Sequence, residues 1–413
     1  CGFTVSNGAT AAATYSDNGR GGGLFLAAGG AATNCTVTGC RAWVGGGAAG
    51  AAGVLRGCVL SGNAALSVGY TSGYGGGMYG LLAEGCAIVS NTAYIGGGAY
   101  ECTLTGCDIL SNIADYQGGG AYYGVLDRCR VLGNRSGAPS YGVGGGVYDA
   151  VLTSCLISGN TSRQGGGVYG STAAKGMYNC TVVANTATVT GTTQGGGGFY
   201  GNGTSYPVRN CIVYHNASGG LGTNLYQGAV TYTCSLPLPA GEGNMDAAPM
   251  IADFSNGRLL PGSPCAGAGL YEEWMAQALD VEGEPRAGTG SVDMGADQLF
   301  VENLTGPLSV AIEGPAWPYF PGAPYTFTAT ITGKPTNVNW DFGDNTATSG
   351  LPQVTHVWSE GDYVVRLTVS NATHTAEATL ALNVAPDTRY VSSAGSHTPP
   401  FRSWADAATN LQD

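Results

Sequence analysis

Asp108, Asp127, Arg128 and Arg130 are the best-grouped charged side chains in the first half of a chain in which only 10% of residues are charged, and Asp115 and Asp149 lie close to them in sequence. Carboxylates so grouped can hold Ca2+ against an acidic sugar and acidify its α-proton for removal by an Arg, Lys or His base. Two carboxylates about 5 to 10 Å apart would instead serve glycosidic hydrolysis. A surface ion pair between Asp108 and Arg130 fits the same residues and is the commoner arrangement. No paired-aspartate cluster occurs, and His215 stands alone beside a turn. Asp280, Glu282 and Asp293 carry the oxygen donors that Ca2+ takes, but carboxylates that merely accept turn N–H groups look the same in sequence. Beyond that one cation, no cofactor is expected. Tyr79, Tyr100, Tyr122, Tyr148 and Tyr169 stand beside glycines and offer aromatic faces, either to sugar rings or to one another.

These side chains must be positioned by a repeat. Gly-Gly-Gly begins at Gly21, Gly45, Gly75, Gly96, Gly118, Gly144, Gly165 and Gly195. Each triplet is followed by one of Cys35, Cys58, Cys86, Cys107, Cys129, Cys155, Cys180 and Cys211, spaced 21 to 31 residues apart. Five positions after each Cys, except the first, stands an Asn: Asn63, Asn91, Asn112, Asn134, Asn160, Asn185 and Asn216. Two positions after each Cys is an aliphatic residue, such as Ile88, Ile109 or Val131, so Cys and aliphatic alternate as in a strand with one buried face. The residue between them varies (Ala87, Asp108, Arg130) and faces outward. Asp108 and Arg130 therefore fall side by side on consecutive coils. Such a coil cannot bury its apolar face alone, but coils stacked about 4.8 Å apart form a continuous core and align like residues into ladders.

The 13 Cys do not read as a disulfide framework. Inward thiols on adjacent coils have parallel Cβ vectors about 4.8 Å apart, where a bridge prefers about 3.8 Å. They read as buried, free, small hydrophobes. Cys234 and Cys265 stand outside the ladder and are the best candidates for a bridge.

Charge excludes some partners. A net charge of −12, with Lys175 and Lys334 as the only lysines, lacks the basic cluster that a phosphate backbone requires, so nucleic acid is not expected. No stretch approaches the roughly 18 apolar residues of a membrane helix.

The register resembles the right-handed parallel β-helix family of pectate lyases and bacterial surface proteins, and spans residues 1–235, with the N-terminal coils missing. Residues 236–305, with Arg258-Leu-Leu-Pro-Gly-Ser-Pro, Asp280-Val-Glu-Gly-Glu-Pro-Arg and Val292-Asp-Met-Gly-Ala, resemble the segment that closes such helices and covers their last edge. From 306 to 385 short alternating strands, roughly 80 residues of them, read as a β-sandwich. Trp340-Asp-Phe-Gly-Asp with His356, Trp358 and Gly361-Asp-Tyr resembles the PKD domain, an immunoglobulin-like fold, in which Trp340 and Phe342 would fill the core. Residues 386–413 resemble the start of a second β-helix unit. The fold class expected is all-β, a solenoid followed by a sandwich. The resemblance implies a secreted or cell-surface modular protein in which a rigid rod presents a surface for adhesion or for binding an extracellular polysaccharide or cell-surface glycan. Neighbouring β-helix and PKD units of the same chain would be its other partners, with no membrane insertion. A polysaccharide lyase or glycoside hydrolase on the β-helix flank is the alternative, and a structural unit of an extracellular filament or stalk is a third.

Overall fold

The computed structural model describes residues 2–10, 19–66, 73–137, 141–203, 205–286, 291–300 and 304–385, with 393, 394 and 396 beyond them. Residues 386–413, read as the start of a further unit, thus lie almost wholly outside the described residues. The chain forms two compact units, one holding residues 1–249 and 254–299 and the other 250–253 and 300–413.

The first unit is a parallel β-solenoid with four strands per coil, which stack into sheets of ten, nine, nine and eight strands. The coil after Cys107 shows the order. Asp108–Leu110 belongs to the cysteine sheet, Ile113–Gln117 to the second sheet, Ala121–Tyr122 to the tyrosine sheet and Val125–Asp127 to the fourth. Each strand sends one side chain inward: Ile109, Ala114, Ala121 and Leu126 are at most 1% exposed. The alternation of Cys, outward residue and aliphatic is confirmed, since Asp108 pairs with Arg130 and Ile109 with Val131 in register.

The ladder thiols are free and buried, and they do more than fill space. Cys107 Sγ accepts the backbone N–H of Cys86 at 3.4 Å and donates to the Ala83 and Thr105 carbonyls, and Cys155, Cys180 and Cys211 repeat the acceptor role one coil on. A corner N–H that no sheet reaches is thereby satisfied. The Asn column behaves alike: Asn112 Nδ2 donates to Ile88 O at 2.8 Å and to Asn134 Oδ1 at 3.0 Å, and Asn134 Oδ1 also accepts the Asn112 N–H at 2.8 Å.

The three glycines of a triplet meet three different constraints. Gly118 has φ +64°, a left-handed corner that L side chains resist. A Cβ on Gly119 would run into the Gly145 and Arg135 carbonyls, and one on Gly120 would meet the Asn134 amide at 3.1 Å. The sequence suggests only the first reason; the other two follow from stacking.

Residues 242–247 lie along the last edge of the solenoid. Tyr232 N–H donates to Glu242 O, Ser235 N–H to Met245 O, and Asn244 Oδ1 accepts from Thr233 N–H at 2.9 Å in place of the next ladder residue. Described residues between 254 and 299 bond along the outer face of the cysteine sheet. Ala296 N–H donates to Thr181 Oγ1 at 2.9 Å, Gly295 N–H to Asn210 O, and Asn210 exchanges hydrogen bonds with Leu270. The outward residues explain this placement. Leu156, Thr181, Ile212 and Cys234 are small or apolar and fully covered, whereas Asp108 and Arg130 on earlier coils are charged and stay in solvent.

The second unit pairs a three-stranded and a four-stranded antiparallel sheet. Trp340 and Trp358 are fully buried, and their indole N–H groups donate to Leu351 O and Phe342 O, each at 3.0 Å. His356 stacks on Phe342 at 4.0 Å and bonds Asp344 at 2.7 Å. Burial tends to raise the Asp344 pKa, but bonds from Thr346 and His356 outweigh it, and the carboxyl sits below its ordinary range.

Candidate functional site

Asp108, Asp127, Arg128 and Arg130 lie around the edge where the fourth sheet turns into the cysteine sheet. Arg130 Nη1 lies 3.7 Å from Asp108 Oδ1 with both side chains over two-fifths exposed, and Arg128 Nε bonds Asp127 Oδ2 at 3.0 Å. Each carboxylate is thus matched to a partly exposed guanidinium, an arrangement worth little energetically. Asp115 lies apart on the second sheet, and Asp149 is buried at the turn after Tyr148. His215 packs against Tyr214 and Phe254, and burial lowers its pKa to about 4.

Asp280, Glu282 and Asp293 have local partners. Asp280 accepts the N–H groups of Glu282, Glu284 and Gln298, Asp293 those of Gly267 and Leu299, and Glu282 pairs with Arg258. The nearby Arg286 guanidinium has no exposed surface and donates to the Ala296 carbonyl, with Asp280, Asp293 and the buried Asp297 in its neighbourhood. Among the described residues no group of three or more His, Cys, Asp or Glu converges as a metal site.

The tyrosines form a column. Tyr79, Tyr100, Tyr122, Tyr148, Tyr169, Tyr200 and Tyr226 stack with centroids 4.9 to 5.2 Å apart and ring planes within 19° of parallel. Tyr94 and Tyr116 begin a second, shorter stack. Inside the long column each π-face is occupied by the next ring, so a sugar would find edges and hydroxyls there. Burial lifts the Tyr169 pKa to about 12 and pushes Tyr122 and Tyr148 up as well.

A further aromatic group lies one residue further on, where the chain turns from the tyrosine sheet to the fourth. Glu101, Tyr123 and Asp149 occupy that turn on three successive coils, all with φ near +50°. With Gly124, Thr172 and Lys175 they line a cleft of about 370 Å3. Asp149 builds its far wall: it accepts Ser171 N–H at 2.7 Å, Thr172 N–H at 3.0 Å and Thr172 Oγ1–H at 2.8 Å, which pins the insertion carrying Lys175. The Tyr123 ring leans on Tyr122 at 4.2 Å, and Lys175 Nζ lies 5.9 Å from its centre. The cleft combines an aromatic ring, an exposed carboxylate on Glu101, a hydroxyl and an ammonium. Glu101 and Lys175 were not singled out as binding residues in the sequence. The available signals were the shared position after each ladder Tyr and the scarcity of lysine.

Residues 311–384 match the PKD domain family. The solution structure of the PKD domain from the human VPS10 domain-containing receptor SorCS2 is 25% identical to the matching part of this chain, covering 24% of this chain and 93% of that one, with a TM-score of 0.18. Among curated proteins none matches this chain. The molecule is therefore a modular protein in which a β-solenoid precedes a PKD domain, a domain that occurs in extracellular proteins. None of its described helices is long and apolar enough to cross a membrane.

Proposed function

We propose that the chain belongs to a secreted or cell-surface protein in which the solenoid presents a glycan-contact surface and the PKD unit acts as a spacer or second contact. The observation that carries this reading is the cleft of Glu101, Tyr123, Gly124, Asp149, Thr172 and Lys175. It sets one aromatic ring among a carboxylate, a hydroxyl and an ammonium, the mixture that a sugar's apolar face and hydroxyl rim require. The self-paired charges of Asp108, Asp127, Arg128 and Arg130 favour binding over catalysis.

Affinity electrophoresis through gels containing pectin, alginate, xylan or glycosaminoglycan tests it. Retardation by at least one polymer that is lost in Tyr123→Ala and Lys175→Ala supports the cleft. Clearing of polymer would favour the lyase or hydrolase reading and direct mutation to Asp108, Asp127 and Arg130. Retardation that survives both substitutions would move the contact elsewhere.

A further inference from the structure

Two cysteines outside the ladder are brought together by packing. Cys234 lies on the outer face of the last coil of the cysteine sheet, paired in register with Ile212. Cys265 lies in the closing segment, where its carbonyl accepts Met294 N–H at 3.0 Å, and the next residue but one, Ala296, is bonded to Thr181 on the same sheet. Gly295, the residue after Met294, packs on the side chain of Ile212, the register partner of Cys234, so the two thiols are close neighbours; both are free and have no exposed surface. Cys234 also donates to Ala247 O at 3.1 Å. The ladder thiols differ in kind. They repeat along one strand column with parallel Cβ vectors about 4.8 Å apart, which a bridge does not span comfortably. Their sulfurs are also used as acceptors for corner N–H groups. Cys234 and Cys265 come from different elements that pack on one another, outside that parallel column.

We propose that Cys234 and Cys265 are oxidised to a disulfide as the chain folds, and that this bond fastens the closing segment to the flank of the solenoid. Both S–H bonds are lost and one S–S bond forms. The two electrons and two protons pass to the disulfide of a thiol–disulfide oxidoreductase or of oxidised glutathione, whose S–S bond breaks to give two thiols. A bridge enclosing some thirty residues takes conformational freedom from the unfolded chain. Among its described residues the closing segment has no α-helix and no extended strand to hold it, so it gains most from such a tie.

The test is alkylation of the whole chain after export into an oxidising compartment by a fused secretion signal, which separates this question from where the protein naturally resides. Denatured without reductant, the chain should take up label on eleven of its 13 cysteines and yield one cross-linked peptide pair containing Cys234 and Cys265. Uptake on all thirteen, or a linked peptide containing a ladder cysteine, would overturn the proposal. Cys265→Ser should show twelve labelled thiols and a thermal midpoint lower by roughly 5–10 °C. An unchanged midpoint would overturn the fastening role even if the bond is found.

Discussion

Asn134 and Asn160 meet one coil apart, with Asn134 Nδ2 donating to Asn160 Oδ1 at 3.0 Å while the Asn134 backbone N–H donates to the same oxygen at 2.8 Å. Asn134 serves Asn112 in the same way and also donates to the Ile109 carbonyl at 2.8 Å. Asn134→Ala leaves several buried donors and an acceptor unmatched. It should cost about 3–5 kcal/mol by urea denaturation. Asn216→Ala, where the column is half-buried and water can substitute, should cost clearly less.

Glycine substitutions should separate steric from conformational cost. Gly106 has φ +58° with open space where a Cβ would go, so Gly106→Ala should cost about 1 kcal/mol through backbone strain alone. Gly119 has no such φ, but its Cβ would strike the Gly145 carbonyl of the next coil. Gly119→Ala should therefore destabilise far more, and the comparison of the two urea midpoints checks the order.

The tyrosine column should resist ionisation. Spectrophotometric titration should show exposed tyrosines ionising near pH 10, followed at higher pH by a group that includes Tyr169, at about 12. A folded pKa above the unfolded one means that stability is intact below pH 10 and falls as pH rises from 10 to 12. Tyr148→Leu should shrink the late group and weaken the near-ultraviolet dichroism of the stack.

Two buried groups should tilt the acid side of the stability profile in opposite directions. Burial raises Asp297 to about 7, so the native state holds a proton there that the unfolded state releases between pH 4 and 7, and stability falls as pH rises through that window. His215, lowered to about 4 by burial, does the reverse: the unfolded state gains its proton first, so stability falls as pH drops from 6.5 to 4. Asp297→Asn should raise stability at pH 7 relative to pH 4. His215→Gln should remove the loss between pH 6.5 and 4. Denaturation midpoints measured across that range check both signs.

The Cys, Asn and Gly columns were legible because they recur in every coil at nearly fixed offsets, and the sandwich because Trp340 and Trp358 sit in a dense local motif. The four-sheet cross-section was not legible. Strands of two or three residues, such as Ala121–Tyr122, are too short to show a period. The cleft was hidden for a related reason. Glu101, Tyr123 and Asp149 come from three coils and meet only when these stack, while Thr172 and Lys175 arrive on an insertion whose path is set by the Asp149 carboxylate. The acids of the closing segment were visible, but not the buried Arg286 they surround. That relation depends on a fold of the segment with no repeat to predict it.

The coils differ in length by up to ten residues, yet the separation between a ladder Cys and its Asn never changes. Extra residues enter only before the glycine triplet, as between Val189 and Gly197, or after the ladder tyrosine, as between Tyr169 and Met177. The solenoid therefore works as a graduated scale. A loop can be lengthened at two edges without disturbing its neighbours, and any two loops on one edge are separated by a whole number of steps of about 4.8 Å. Gaining or losing a single coil would shift every downstream feature by one graduation and leave each one's own geometry intact.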